Sequence, residues 1–193
     1  MIAGVWPGNT ASRGVVEADW FAMPFAENSF GAAIGDGALN MLHWPEGYHA
    51  AYESLRQVLS ARARIVIRCF VTPDRPETLD ELTHETLSGR IANFHAFKWR
   101  LAMAARRPGS PNIAARAIWE AFVARFPDRM ALANATGWTL ATIAELDDYA
   151  GSSLSKSFPT RAELQQALPD ASLVESEGYD LAERCPLLVI DLA

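Results

Sequence analysis

The chain has 193 residues, half of them hydrophobic and 21% charged, with a formal net charge of -6. That length allows one domain with a packed core, and the acidic balance offers no footprint for nucleic acid or an anionic membrane surface. No run reaches the ~20 apolar residues of a membrane span, and MIAGVWPGNT lacks the basic start and apolar stretch of a signal peptide, so a cytoplasmic protein is the expectation. The two cysteines, Cys69 and Cys185, match no metal spacing. Cys69 sits in an apolar run and reads as a buried thiol.

Residues 1–6 read as the tail of a helix, stopped by Pro7-Gly8. Residues 14–18 and 30–35 read as short strands, each followed by an aspartate, Asp19 and Asp36. Ligands of parallel α/β sheets bind outside the carboxyl ends of strands. Two strand-end carboxylates in quick succession therefore suggest a site for a polar, nucleoside-like ligand. After Trp44-Pro45, apolar residues from Tyr48 to Leu59 recur at helical spacing, so 45–59 is an amphipathic helix with Pro45 at its start. Residues 63–71 form the strongest strand, apolar enough for a buried parallel position. Strand, strand, helix, strand argues for a parallel α/β sheet.

The middle of the chain is helical. Thr78 and Glu81 make a capping box that opens a long stretch over about 78–107. Arg106-Arg107 and Pro108-Gly109 close it. Residues 112–126 and 138–149 read as two further helices. Three helices after a strand exceed what a crossover needs and read as an inserted cap. Thr160 and Glu163 make a second capping box. Residues 172–177 and 186–192 read as strands, joined by a loop too short for a helical crossover and so paired as an antiparallel hairpin.

Several residues suggest chemistry beyond the strand ends. His43 could serve as a general base, against a plain loop histidine packed beside Trp44. His84 and His95 share a face of the long helix but stand three turns apart, too far for one metal. Asp147 and Asp148 are adjacent on a helix and point apart. Trp99, Trp119 and Trp138 fall in the cap, where they either line a pocket or pack helices together. No metal site is expected, and no catalytic residue is assigned.

Taken together, these pieces resemble class I S-adenosylmethionine-dependent methyltransferases, over nearly the whole chain but only the later part of that fold. Val15 to Asp19 looks like the third strand with its terminal acid, and Met23-Pro24-Phe25 with Asn28-Ser29-Phe30 looks like the "LPF…(D/N)SFD" segment. Gly35-Asp36-Gly37-Ala38-Leu39 looks like the end of the fourth strand. Leu55 to Leu59 resembles the helix end before the fifth strand, and Ser157-Phe158-Pro159-Thr160 the linker into the last helix. The resemblance implies a single α/β domain over 1–193. It would be a Rossmann-like methyltransferase fold lacking its first strands, a mostly parallel sheet ending in an antiparallel hairpin, with a helical cap insertion over about 78–150. It implies S-adenosylmethionine as cofactor and a small molecule as methyl acceptor. Asp19 would accept from the adenine amino group, suited to an acceptor-only carboxylate. The Trp20 backbone N–H would point at the adenine ring. Asp36 and Gly37 would lie beside the methionine part and the substrate.

The sequence also departs from the family. The acid and G-x-G-x-G loop after the first strand and the ribose-binding acid after the second are not in it. Gly31 stands where Asp usually follows Phe30, Ser60-Ala61-Arg62 replaces a Pro-Gly-Gly turn, and there is no (N/D)-P-P-(Y/F) motif. In the family sheet the first strand lies between the second and the fourth. Without the first two, the third strand loses its neighbour and the fourth becomes an apolar edge, open to pairing with another chain as a homo-oligomer. An upstream reading frame encoding the missing strands is one expectation. A non-catalytic remnant that serves as a scaffold is the alternative, and a nicotinamide dehydrogenase is disfavoured by the closing hairpin and the absent fingerprint.

Overall fold

The computed structural model describes residues 8–193; the helix tail expected over 1–6 lies outside them. The chain is a mixed α/β structure. A four-stranded sheet carries β1 (Phe30–Asp36), β2 (Leu59–Arg68), β5 (Ser172–Val174) and β6 (Leu187–Asp191), in the order β1-β2-β6-β5. The β1–β2 pair is parallel, and β6 runs antiparallel to both β2 and β5. The expected closing hairpin is therefore present. Three strands share one direction, although only one adjacent pair is parallel.

Helix α1 (Glu46–Val58) supplies the crossover from β1 to β2. Its Tyr48 and Ala51 are buried with Ile65, Ile67, Leu188 and Ile190 of the sheet, and Tyr52 and Leu55 pack against them. The helix presents one face at its 3.6 period, while β2 alternates, with Ala63, Ile65 and Ile67 buried and Arg64, Val66 and Arg68 more exposed, where the apolar run predicts burial on both faces. Strand β2 begins four residues earlier than expected. It takes in Ser60-Ala61-Arg62 as an irregularity, with Arg62 at φ 67° and a register shift opposite Phe30 to Ala32.

The strand expected over 14–18 does not form. Residues 14–19 have no ladder partner and run as an arm beside the sheet. A strand needs a neighbour to satisfy its N–H and C=O groups, and alternation alone supplies none.

The helix expected over 78–107 is two helices, α2 (Leu79–Leu87) and α3 (Phe94–Ala104). Gly89 turns the chain at φ 71°, and Asn93 caps α3 by accepting from the backbone N–H groups of His95 and Ala96. His84 and His95 consequently sit on different helices. The helix expected over 112–126 begins at Ala115 as α4 (Ala115–Arg125). The residues before it form β3 (Asn112–Ala114), paired antiparallel with β4 (Ser155–Ser157). An additional helix, α5 (Arg129–Thr136), is capped by Asp128 and ended by Gly137. The third expected helix is a short α6 (Leu140–Ala144) continued by a 3-10 turn over Glu145–Tyr149. Both capping boxes, Thr78 with Glu81 and Thr160 with Glu163, are formed, the second opening α7 (Arg161–Ala167).

The core is divided. One apolar cluster lies between α1, α7 and the sheet. The other fills the helical segment with Phe94, Phe97, Phe122, Leu132, Trp138 and Leu146. Phe70, just past the carboxyl end of β2, belongs to this second cluster and stacks on Trp99 with centroids 4.6 Å apart. The helices thus pack where β2 ends. No helix among the described residues is long and apolar enough to cross a membrane.

Candidate site at the carboxyl end of β1

Strand β1 ends in Asp36 and Gly37. Asp36 accepts two hydrogen bonds from Arg68 of β2, each 2.7 Å, in the bidentate geometry that a guanidinium and a carboxylate share. The Arg68 guanidinium also lies over the rings of Phe70 and Tyr179, 5.8 Å and 5.5 Å from their centroids. Gly37 is required sterically: at φ 61°, a Cβ there would stand 2.6 Å from the Phe70 ring.

The next turn, Leu39–Met41, is fixed by Asn40, which is only 2% exposed. Its amide donates to the carbonyls of Phe70 (2.8 Å) and Ser157 (2.7 Å), and its oxygen accepts from the Phe70 N–H (2.8 Å). Ser157 donates to the Leu42 carbonyl and lies 3.0 Å from the Tyr48 hydroxyl. Burial pushes the Tyr48 pKa up, so that hydroxyl stays protonated. One buried network therefore ties the end of β1, the end of β2, α1 and β4 together.

Of the residues singled out from sequence, the structure places Asp36 and Gly37 here and leaves Asp19 and Trp20 on the arm. The Asp19 side chain accepts from the Phe21 backbone N–H at 2.9 Å, a local turn interaction. Trp20 is 46% exposed and lines an apolar groove of about 350 Å³. Val16 and Phe25 of the arm, Ile34 and Gly35 of β1, and Leu55 of α1 form its other walls. His43 is exposed beside Glu46 at 3.3 Å, away from the Asn40 network. Trp138 points inward, but into the helical core, where its indole N–H donates to the Ala92 carbonyl. Trp119 donates to Asp147, which also pairs with Arg129. Only Trp99 among the three tryptophans reaches the strand ends.

No protein-family model and no curated protein matches this chain. Among the described residues no cluster of His, Cys, Asp and Glu could hold a metal ion. Burial pushes the Cys69 and Cys185 thiols up to about 12 and about 11, so neither is a nucleophile near neutral pH. Asn40, Arg68 and Ser157 organise the site, and none of them is a site candidate from the sequence alone. Arg68 had a signal available, a cation at the end of an apolar strand. Asn40 and Ser157 had none, because their partners are remote in sequence.

Proposed function

We propose that the chain is a Rossmann-like, S-adenosylmethionine-dependent methyltransferase domain acting on a small molecule, with further residues needed to hold the cofactor. One observation carries this reading. The sheet is a parallel pair followed by an antiparallel hairpin, with Asp36 and Gly37 at the carboxyl end of β1 and a helical segment packed against the neighbouring strand end. Those are the features the resemblance requires of the later strands.

The fit of the cofactor is partial. Trp20 offers a flat apolar wall, and Asp19 keeps its second carboxylate oxygen outside the turn hydrogen bond to Phe21. These suit an adenine ring with its exocyclic amine. Both oxygens of Asp36 are engaged by Arg68, and the groove walls named above are apolar. The walls of the groove thus supply neither a ribose acid nor charged donors for the methionine carboxylate, and they do not fit the whole cofactor. The proposed domain completes that site across the free edge of β1. The 193-residue chain alone is expected to bind S-adenosylmethionine weaker than about 1 mM, roughly -4 kcal/mol, by calorimetric titration. Micromolar affinity would contradict the need for further residues.

The second reading is a non-catalytic scaffold that pairs with another copy of itself. It is favoured by the outer edge of β1, which pairs with no other strand among the described residues and carries Ile34 at 87% exposure. Under this reading the chain sediments as a dimer and Ile34→Lys returns it to monomer. A wild-type chain that stays monomeric at every concentration removes it.

A further inference from the structure

Lys156 lies on β4, paired with Ile113 of β3, and is 6% exposed. Its neighbours Ser155 and Ser157 are bonded to Ile113, Leu42 and Asn40, so its backbone is fixed. The side chain reaches the turn after β1. There the Nζ lies 3.1 Å from the Met41 sulfur and over the rings of Trp99 and Tyr149, 5.3 Å and 5.7 Å from their centroids. No carboxylate among the described residues is within ion-pair distance of it. The nearby Lys98 is satisfied by Glu145 at 3.4 Å and does not change the count.

A buried ammonium is costly without an anion. A thioether is a weak acceptor, and two ring faces return only part of what water would. One uncompensated positive charge in a wall of Trp, Tyr and Met matches one negative charge on an apolar body. We propose that Lys156 is the recognition group of a binding site for a small monoanion, a carboxylate carried on a flat apolar or aromatic body, held between Met41, Trp99 and Tyr149 beside the end of β1. A carboxylate oxygen takes the place of the Met41 sulfur, whose unbranched side chain is 39% exposed at residue level and free to swing aside. Burial and Lys98 hold the Lys156 pKa below the usual lysine range, and an anion would restore it. If the methyltransferase reading stands, this anion is the methyl acceptor; the site itself does not depend on that reading.

The test needs no cofactor. Benzoate, phenylacetate and indole-3-acetate are titrated into the wild-type chain, followed by calorimetry and by the Lys156 Cε resonance, assigned by its absence in Lys156→Met. At least one compound is expected to bind in the millimolar range and to move that resonance. Its affinity should fall about tenfold or more in Lys156→Met, as for a hydrogen bond to a charged group. The Lys156→Met protein should melt no lower than wild type, since it loses an uncompensated buried charge. Absence of binding, binding that leaves the Lys156 resonance unmoved, or a melting temperature several degrees lower in Lys156→Met would each overturn the proposal. Failure here leaves the cofactor titration unaffected.

Discussion

Replacing Glu77 by glutamine is expected to destabilise the protein by about 3 kcal/mol, at the lower end of what breaking a buried ion pair costs. Glu77 precedes α2, and its side chain is only 8% exposed. It accepts from Arg100 of α3 through Nε and Nη2, and from Arg184, before β6, through Nη1 at 3.2 Å. Those two arginine side chains are 15% and 12% exposed. The carboxylate is thus a knot between the helical segment and the hairpin of the sheet. Glu85 also accepts from Arg100 but does not reach Arg184. Glutamine keeps the shape and removes the charge, leaving two mostly buried cations with only more exposed partners, Glu85 for Arg100 and Glu183 for Arg184. For a chain of this size the loss corresponds to a melting temperature roughly 6–12 °C lower. An exposed pair serves as the contrast: Arg116→Ala, which separates Arg116 from Glu120 one helical turn away, should cost less than about 0.5 kcal/mol. Equal effects for the two variants in urea melts would refute the assignment of the knot.

Asn40→Ala is expected to cost at least as much, about 3 kcal/mol or more. It strips partners from two buried carbonyls and one buried N–H, and each unsatisfied group costs about 1–3 kcal/mol. The hydrogen bonds lost are those to Phe70 and Ser157. Asn40→Asp should be nearly as damaging, because a carboxylate cannot donate to the two carbonyls. The effect is also expected to be coupled. Ser157→Ala removes the contacts to Leu42 and Tyr48 in the same network, so the double variant should lose less than the sum of the two single losses. Additive losses would show that Asn40 and Ser157 act separately. Because this network holds the turn after β1 against β4, its loss should also disturb the surroundings of Lys156.

What could be read in the sequence was local. The two capping boxes, Thr78 with Glu81 and Thr160 with Glu163, are four-residue signals that satisfy their own backbone groups, and both formed. Helix α1 carries a strong period, and strand β2 a nearly continuous apolar run. The closing hairpin followed from the length of a loop. The long helix failed at Gly89 and Asn93, residues whose preferences for a left-handed turn and an N-cap were visible but outweighed by the apolar period around them. Strand β3 was absorbed into a helix because three residues carry no period. The expected strand over 14–18 failed for a different reason, since pairing is a property of two segments. At the site the same division holds. The position of Asp36 at a strand end is a local fact. Its engagement by Arg68, 32 residues on, is not, and neither is the meeting of Asn40 with Ser157 across 117 residues. Lys156 lies just before the segment Ser157 to Thr160 that reads as a linker, and nothing local marks a lysine that will be buried.

The most direct measurement is an amide and indole chemical-shift map of the 193-residue chain at high S-adenosylhomocysteine, the demethylated product of the cofactor. The proposed reading predicts weak, fast-exchange binding, with the largest shifts at the Trp20 amide and indole, the Asp19 to Phe21 turn, and the amides of Gly35 to Gly37. Largest shifts elsewhere, or none at saturating solubility, would contradict a methyltransferase-type site at the end of β1.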